Sequence, residues 1–196
     1  MKSFKKRRRG GLVATFENAE AHLLASLTGQ VVELLRDRNG PEESGVDPLA
    51  AQVGLAGLGG PSLPPEDPVL QRLLPDAYRD DPEDAAEFRR FTERSLTSIK
   101  VANAETVIGS LIDGGLTVGT PTERGPQIEV ELDDAEAQAW MRSLTDVRLS
   151  LAVRLGIETE EDAELVAHSE DEQTAAMSDI YDWLGYVQET LIAALD

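Results

Sequence analysis

The sequence predicts a mainly α fold: a helical bundle around one long central helix, completed by a small β-hairpin or three-stranded sheet. Three observations carry this. Residues 82–115 read as one uninterrupted helix, two further segments at 134–155 and 172–195 repeat apolar residues at helical spacing, and only short alternating runs suit strands. At 196 residues the chain is long enough to bury a real core as a single domain, expected over 11–196 and preceded by a basic flexible arm at 1–10.

Residues 2–9 hold Lys2, Lys5, Lys6, Arg7, Arg8 and Arg9, six of the eighteen basic residues. That leaves twelve basic against thirty-seven acidic residues, or −25, for everything after Arg9. A terminal charge cluster with little to bury predicts a mobile arm. Such an arm suits contact with phosphate or an acidic partner, whereas the acidic body repels phosphate and suits a basic protein surface. The apolar run that follows, Leu12 to Phe16, is too short for the core of a signal peptide, and no stretch approaches a membrane span. A cytoplasmic location without membrane contact is expected.

Gly11 to Phe16, GLVATF, predicts a short strand. Glu17 to Arg38 predicts a helix with Leu24, Leu27, Val31 and Leu35 on one face and Arg36 and Arg38 suiting its C-terminal dipole. Residues 40–68 hold six of sixteen glycines and six of ten prolines, which marks a loop-rich insert. Within it Asp47-Pro48 predicts a short helix through Leu55, and Asp67-Pro68 a second one over Val69 to Leu74. The Gly54 to Gly60 run fits neither GxGxxG nor GxxxxGK[ST], so a linker is the better reading than a nucleotide loop.

The central helix is signalled three ways: Asp81 as N-cap, Pro82 at the first helical position, and Asp84 three residues after the cap. Gly114 and Gly115 stop it. Phe88, Phe91, Leu96, Ile99, Ala102, Val107 and Leu111 recur at spacings of three to five and predict the buried stripe. Leu116 to Gly119 and Gln127 to Leu132 then predict a hairpin across TPTERGP, with GLVATF as its third strand. ATFENAEA at 14–21 and VELDDAEA at 130–137 echo each other, each passing from strand to helix through an acidic cap, which fits either two such units flanking the central helix or a coincidence of sequence. Asp133 and Glu136 form a capping-box pair for the helix ending near Leu155, and the last helix begins near Glu172.

Chemistry is sparse. There is no cysteine, which excludes disulfides, thiolate catalysis, zinc-thiolate sites and cysteine redox sensing by these residues. His22 and His168 are the two histidines, and Glu164 lies one turn before His168, yet no HExxH or paired ExxH set is present. There is no GxSxG elbow either. No enzyme activity, cofactor or metal is expected.

Candidate contact residues therefore come from charge and exposed apolar surface. Lys5, Lys6, Arg7, Arg8 and Arg9 of the arm, with Arg89, Arg90, Arg94 and Lys100 of the central helix, are candidates for nucleic acid or an acidic partner. With the following hairpin as a wing, the central helix could read DNA, although it is long for a recognition helix and carries Glu87, Glu93 and Glu105 among its cations. Pairing of those cations within the chain is the competing reading. Ile180, Trp183, Leu184, Val187 and Leu191 of the last helix are candidates for a dimer or partner surface, while Trp140 and Trp183 suit core or dimer anchors.

Three segments together carry a resemblance: EFRRFTERSLTSIKVANAETVIGSL at 87–111, AEAQAWMRSLTDVRLSLAVRLGI at 135–157 and YDWLGYVQETLIAAL at 181–195 resemble the AosR family of actinobacterial regulators. The resemblance implies a cytoplasmic, homodimeric, non-enzymatic transcription regulator of the oxidative-stress response. It implies partnership with an extracytoplasmic-function sigma factor at promoters, and sensing through a closely spaced cysteine pair. This sequence has no cysteine, so that switch does not carry over. The alternative reading is a helical protein-interaction adaptor or scaffold without DNA contact.

Overall fold

The computed structural model describes residues 1–8, 10–39, 63–78, 80–117, 119 and 125–196. Strands β1 (Lys2–Lys6) and β2 (Leu12–Phe16) lead into helix α1 (Asn18–Asn39). A short helix α2 (Pro68–Leu73) precedes the long α3 (Pro82–Asp113), and strand β3 (Ile128–Leu132) leads into α4 (Asp134–Leu155), α5 (Glu160–Ala167) and α6 (Glu172–Leu195). The described residues thus form six helices and one three-stranded antiparallel sheet, and the mainly α expectation holds.

Local capping chemistry sets most helix starts. Asp67 accepts the N–H groups of Val69 and Leu70 at 2.7 and 3.2 Å, and Asp81 those of Glu83 and Asp84 at 3.0 and 3.1 Å. Asp133 and Glu136 complete the expected capping box, each side chain accepting the other's backbone N–H at 2.8 Å. Helix α5 is an element the sequence reading left out of the carboxylate-rich 158–172 segment. Its signal is the Thr159-x-x-Asp162 box, in which the two groups cap each other at 2.8 and 3.2 Å.

The sheet runs β1-β2-β3, with Phe16 opposite Ile128 and Leu12 opposite Leu132 in the β2–β3 pair. Two expectations fail here. Leu116 and Thr117 are not in a strand, so β3 takes β2 rather than a hairpin neighbour as its partner, and no wing follows the central helix at these residues. Residues 2–6 are not a mobile arm but strand β1, pairing with β2 across a bulge between Lys2 and Lys5. The reason is Phe4, 5% exposed, whose ring meets Phe16 and Trp140 edge-on at 6.2 and 5.7 Å. One aromatic anchor outweighs the repulsion of its basic neighbours, which point outward on an edge strand and discourage further pairing there. The return into β2 needs Gly11, whose φ is +75° and where a Cβ would lie 2.5 Å from the Leu132 carbonyl oxygen.

The two strand-to-helix units are β2–α1 and β3–α4, joined antiparallel through β2 and β3. Both helices pack on α3, and α6 packs on α4 and β1. The α3–α4 pair is antiparallel, since Trp140 reaches Ser110 while Lys100 reaches Asp146. Trp140 is fully buried, stacked 5.9 Å from Phe16 with its indole N–H donating to Ser110 Oγ at 3.2 Å.

The stripe expected to be buried along α3 is the main reversal. Val107 and Leu111 are buried, but Phe88, Phe91, Leu96 and Ile99 are 39–51% exposed and Ala102 is exposed as well. Ala85, Arg89, Glu93 and Thr97, spaced four apart, turn inward instead. The helix expected at Asp47 to Leu55, the Gly54 to Gly60 run and most of TPTERGP lie outside the described residues.

Candidate functional site

The cations of α3 divide into two sets. Arg89, 6% exposed, pairs with Asp76 and lies 3.5 Å from Glu93. Glu93, 3% exposed, in turn accepts from Arg38 of α1 at 2.7 Å, so a chain Asp76–Arg89–Glu93–Arg38 lies along the inner face of α3. Lys100 donates to Asp146 of α4 at 2.6 Å. Burial pushes the Asp146 carboxyl above its ordinary value of 3.8, although the Lys100 hydrogen bond and charge pull it down. Arg89 and Lys100 therefore hold helices together; as candidates for phosphate contact they are corrected by their burial and pairing. Arg90 and Arg94 are exposed, Arg90 lying 5.4 Å over the Phe91 ring.

The N-terminal basic residues gather on one sheet edge. Lys5 and Lys6 are exposed on β1, Arg8 is exposed in the turn, and Arg7 pairs with Glu131 of β3. Arg9 lies outside the described residues. Lys5, Lys6 and Arg8 thus lie on β1 and its turn, whereas Arg90 and Arg94 lie on α3, which packs against α1 and α4. Beside Arg7, the two turn glycines with Glu131, Asp133, Asp134 and Glu136 line an open concavity of about 500 Å³ whose carboxylates disfavour anions.

The partner surface expected on α6 is also corrected. Leu184, Val187 and Leu191 are fully buried in the chain's own core, facing α4 and the sheet, because the apolar stripe of α6 is needed to close the bundle. Ile180 and Trp183 are half-buried against that core. The exposed apolar residues of α6 are instead Tyr186, Ile192 and Leu195. Gln188, 9% exposed, ties α6 to α4 by accepting from Arg148 at 2.9 Å and donating to Thr145 at 2.7 Å.

His168 closes α5 with its ring Nδ1 2.8 Å from the Glu164 carbonyl oxygen, so the His168–Glu164 spacing serves a helix end. Among the described residues no three His, Asp or Glu side chains are placed to hold a metal ion, and no helix is long and apolar enough to cross a membrane.

The chain matches the family described as "Domain of unknown function (DUF2017)" over residues 1–195. It is 33% identical over 184 residues to a Mycobacterium tuberculosis protein named "Oxidative stress regulator AosR", covering 90% of this chain and 78% of that protein. It is 30% identical over 189 residues to a Mycobacterium leprae protein named "Putative oxidative stress regulator AosR", again over 90% of this chain and 78% of the relative. No solved structure gives a significant match. With almost its whole length matched and with relatives at this identity, the chain belongs to the DUF2017 family, alongside the mycobacterial proteins named oxidative stress regulator AosR.

Proposed function

We propose that the protein is a non-enzymatic cytoplasmic regulator in the response to oxidative stress, acting by contact with the transcription machinery, with a sigma factor as the expected partner. The observation that carries this reading is the name shared by relatives that match 90% of the chain. The regulator has no thiol chemistry of its own, because the sequence has no cysteine. A signal carried by cysteine oxidation therefore enters through a partner. The acidic body suits a basic face on that partner, and the association is accordingly salt-sensitive.

Contact with promoter DNA is assigned to the basic edge, with Lys5, Lys6 and Arg8 among its exposed cations. The pairing of Arg89 and Lys100 within the chain leaves fewer free cations than the sequence offers, which favours the adaptor reading as the second one. A variant with Lys5→Ala, Lys6→Ala and Arg8→Ala separates the two, and is cleaner than removing residues 1–9, which takes Phe4 out of the core. Native pull-downs of wild type and variant, with and without nuclease, are read for polymerase, sigma factor and DNA. Recovery of these with wild type, and loss of DNA with the variant, supports the regulator at promoters. Each lost phosphate contact lowers the slope of log affinity against log salt by about 0.9. Recovery of proteins outside transcription, without nucleic acid, overturns it in favour of the adaptor.

A further inference from the structure

Asp84, Glu87, Phe88 and Phe91 of α3 fall at positions i, i+3, i+4 and i+7 of one helix and so share one strip of its surface. Tyr78 comes over that strip from the connection between α2 and α3. Its ring stands edge-on to Phe88, with centroids 5.8 Å apart and planes at 82°. These five residues line an open concavity of about 290 Å³. Tyr78, Phe88 and Phe91 are 49%, 44% and 47% exposed, and aromatics grouped in this way are uncommon on a surface that meets only water. Asp84 and Glu87 are exposed too, and neither makes an ion pair among the described residues. The positive end of the helix dipole lies nearby, but the Asp81 cap with Glu83 and Asp84 in the first turn outweighs it.

We propose that this concavity seats an arginine side chain of a basic partner protein. The faces of aromatic rings carry negative potential and attract a cation, and they also cover the apolar shaft that carries it. A purely apolar occupant would strip water from Asp84 and Glu87 and return no hydrogen bond, which is costly. A guanidinium can lie flat on a ring and give N–H groups to carboxylates at the same time, which the compact ammonium of lysine does less well. Phe91 shows this chemistry within the chain, since the Arg90 guanidinium lies 5.4 Å over its ring without lining the concavity. An anion, phosphate included, is repelled by the two carboxylates. Because the concavity is open, it suits one side chain held by a wider interface rather than a free small molecule. The proposal deepens the regulator reading by naming where a basic partner anchors, and it rests on that reading for the partner's identity alone.

The test titrates the full chain, followed by NMR, with an acetylated and amidated Gly-Arg-Gly tripeptide and with its citrulline counterpart, which has the same shape without the charge. Saturable shifts of the Tyr78, Phe88 and Phe91 ring signals are expected with the arginine peptide, and about tenfold weaker binding with the citrulline one. Phe88→Leu keeps an apolar side chain without the ring, and Glu87→Gln keeps the shape without the charge; each should weaken binding about threefold. Both positions are exposed, so unchanged circular dichroism separates a lost site from a lost fold. Glu160→Gln with Glu161→Gln, on the acidic α5, should leave the affinity unchanged. Absence of saturable ring shifts, or equal binding of the two peptides, overturns the proposal. Shifts as strong over α5 as over the rings do so too, marking a general acidic surface. Arg79, which follows Tyr78, lies outside the described residues. Binding that appears only in Arg79→Gln would make the chain's own arginine the occupant and overturn the proposal as well. The titration contains no partner protein, so its failure leaves the pull-down result standing, and failure of the pull-down leaves the titration standing.

Discussion

Replacing Glu93 by alanine tests the reversed packing of α3 directly. Its carboxylate is 3% exposed and lies between the guanidinium groups of Arg38, at 2.7 Å, and Arg89, at 3.5 Å. Without it, two cations that are 16% and 6% exposed face each other, Arg89 keeping the Asp76 carboxylate and Arg38 the Leu63 carbonyl oxygen at 2.5 Å. Removing one member of a buried, hydrogen-bonded set costs about 3–5 kcal/mol, against about 0–1 kcal/mol for an exposed pair. The cost arises mainly from the charges left behind, so the companion change Arg38→Met should recover part of it in Glu93→Ala. Urea unfolding followed by tryptophan fluorescence reads the effect. With m near 3 kcal/mol/M for a chain of this size, the midpoint should fall by about 1–2 M. A loss under about 1 kcal/mol for Glu93→Ala would mean that the carboxylate faces water and that Phe88, Phe91 and Ile99 turn inward as the periodicity expects.

Two further changes probe the sheet and the α3–α4 contact. Phe4→Ala should cost about 3 kcal/mol and alter the near-ultraviolet dichroism of Trp140, because the ring is buried against Phe16 and Trp140; a change within about 0.5 kcal/mol would return residues 2–6 to a mobile arm. Asp146 has its folded pKa raised by burial, so the folded chain binds its proton more readily than the unfolded one. Its contribution is fully present below the ordinary value of 3.8 and is lost as pH rises through the raised folded value. The stability of wild type minus that of Asp146→Asn should therefore fall with rising pH across this window, and a rise would show that Lys100 outweighs burial.

Where the structural signal is local, the sequence was a sufficient guide. Asp67-Pro68, Asp81-Pro82 and the Asp133/Glu136 box start helices at the positions they mark, because an N-cap needs only the next three residues to satisfy its hydrogen bonds. Strand β2 was legible as a short apolar run and strand β3 from its alternation. The candidate contact residues were less legible. A lysine or arginine has the same letter whether it faces water or a carboxylate, and Arg89 and Lys100 were lost as phosphate candidates only when Asp76, Glu93 and Asp146 came into reach.

By itself, then, the sequence determined the mainly α architecture, the acidic body with its basic start, and the absence of thiol chemistry. Tertiary structure alone decided which partner β3 takes, that Phe4 fixes the basic start as a strand, and which face of α3 turns inward. Helical spacing allowed two faces on that helix, one of phenylalanine and isoleucine and one of arginine, glutamate and threonine. The second is buried because Arg38, 55 residues before Glu93, and Asp76, 13 residues before Arg89, arrive to neutralise it. Periodicity along one helix carries no information about such distant charges, so the apolar face is left outside.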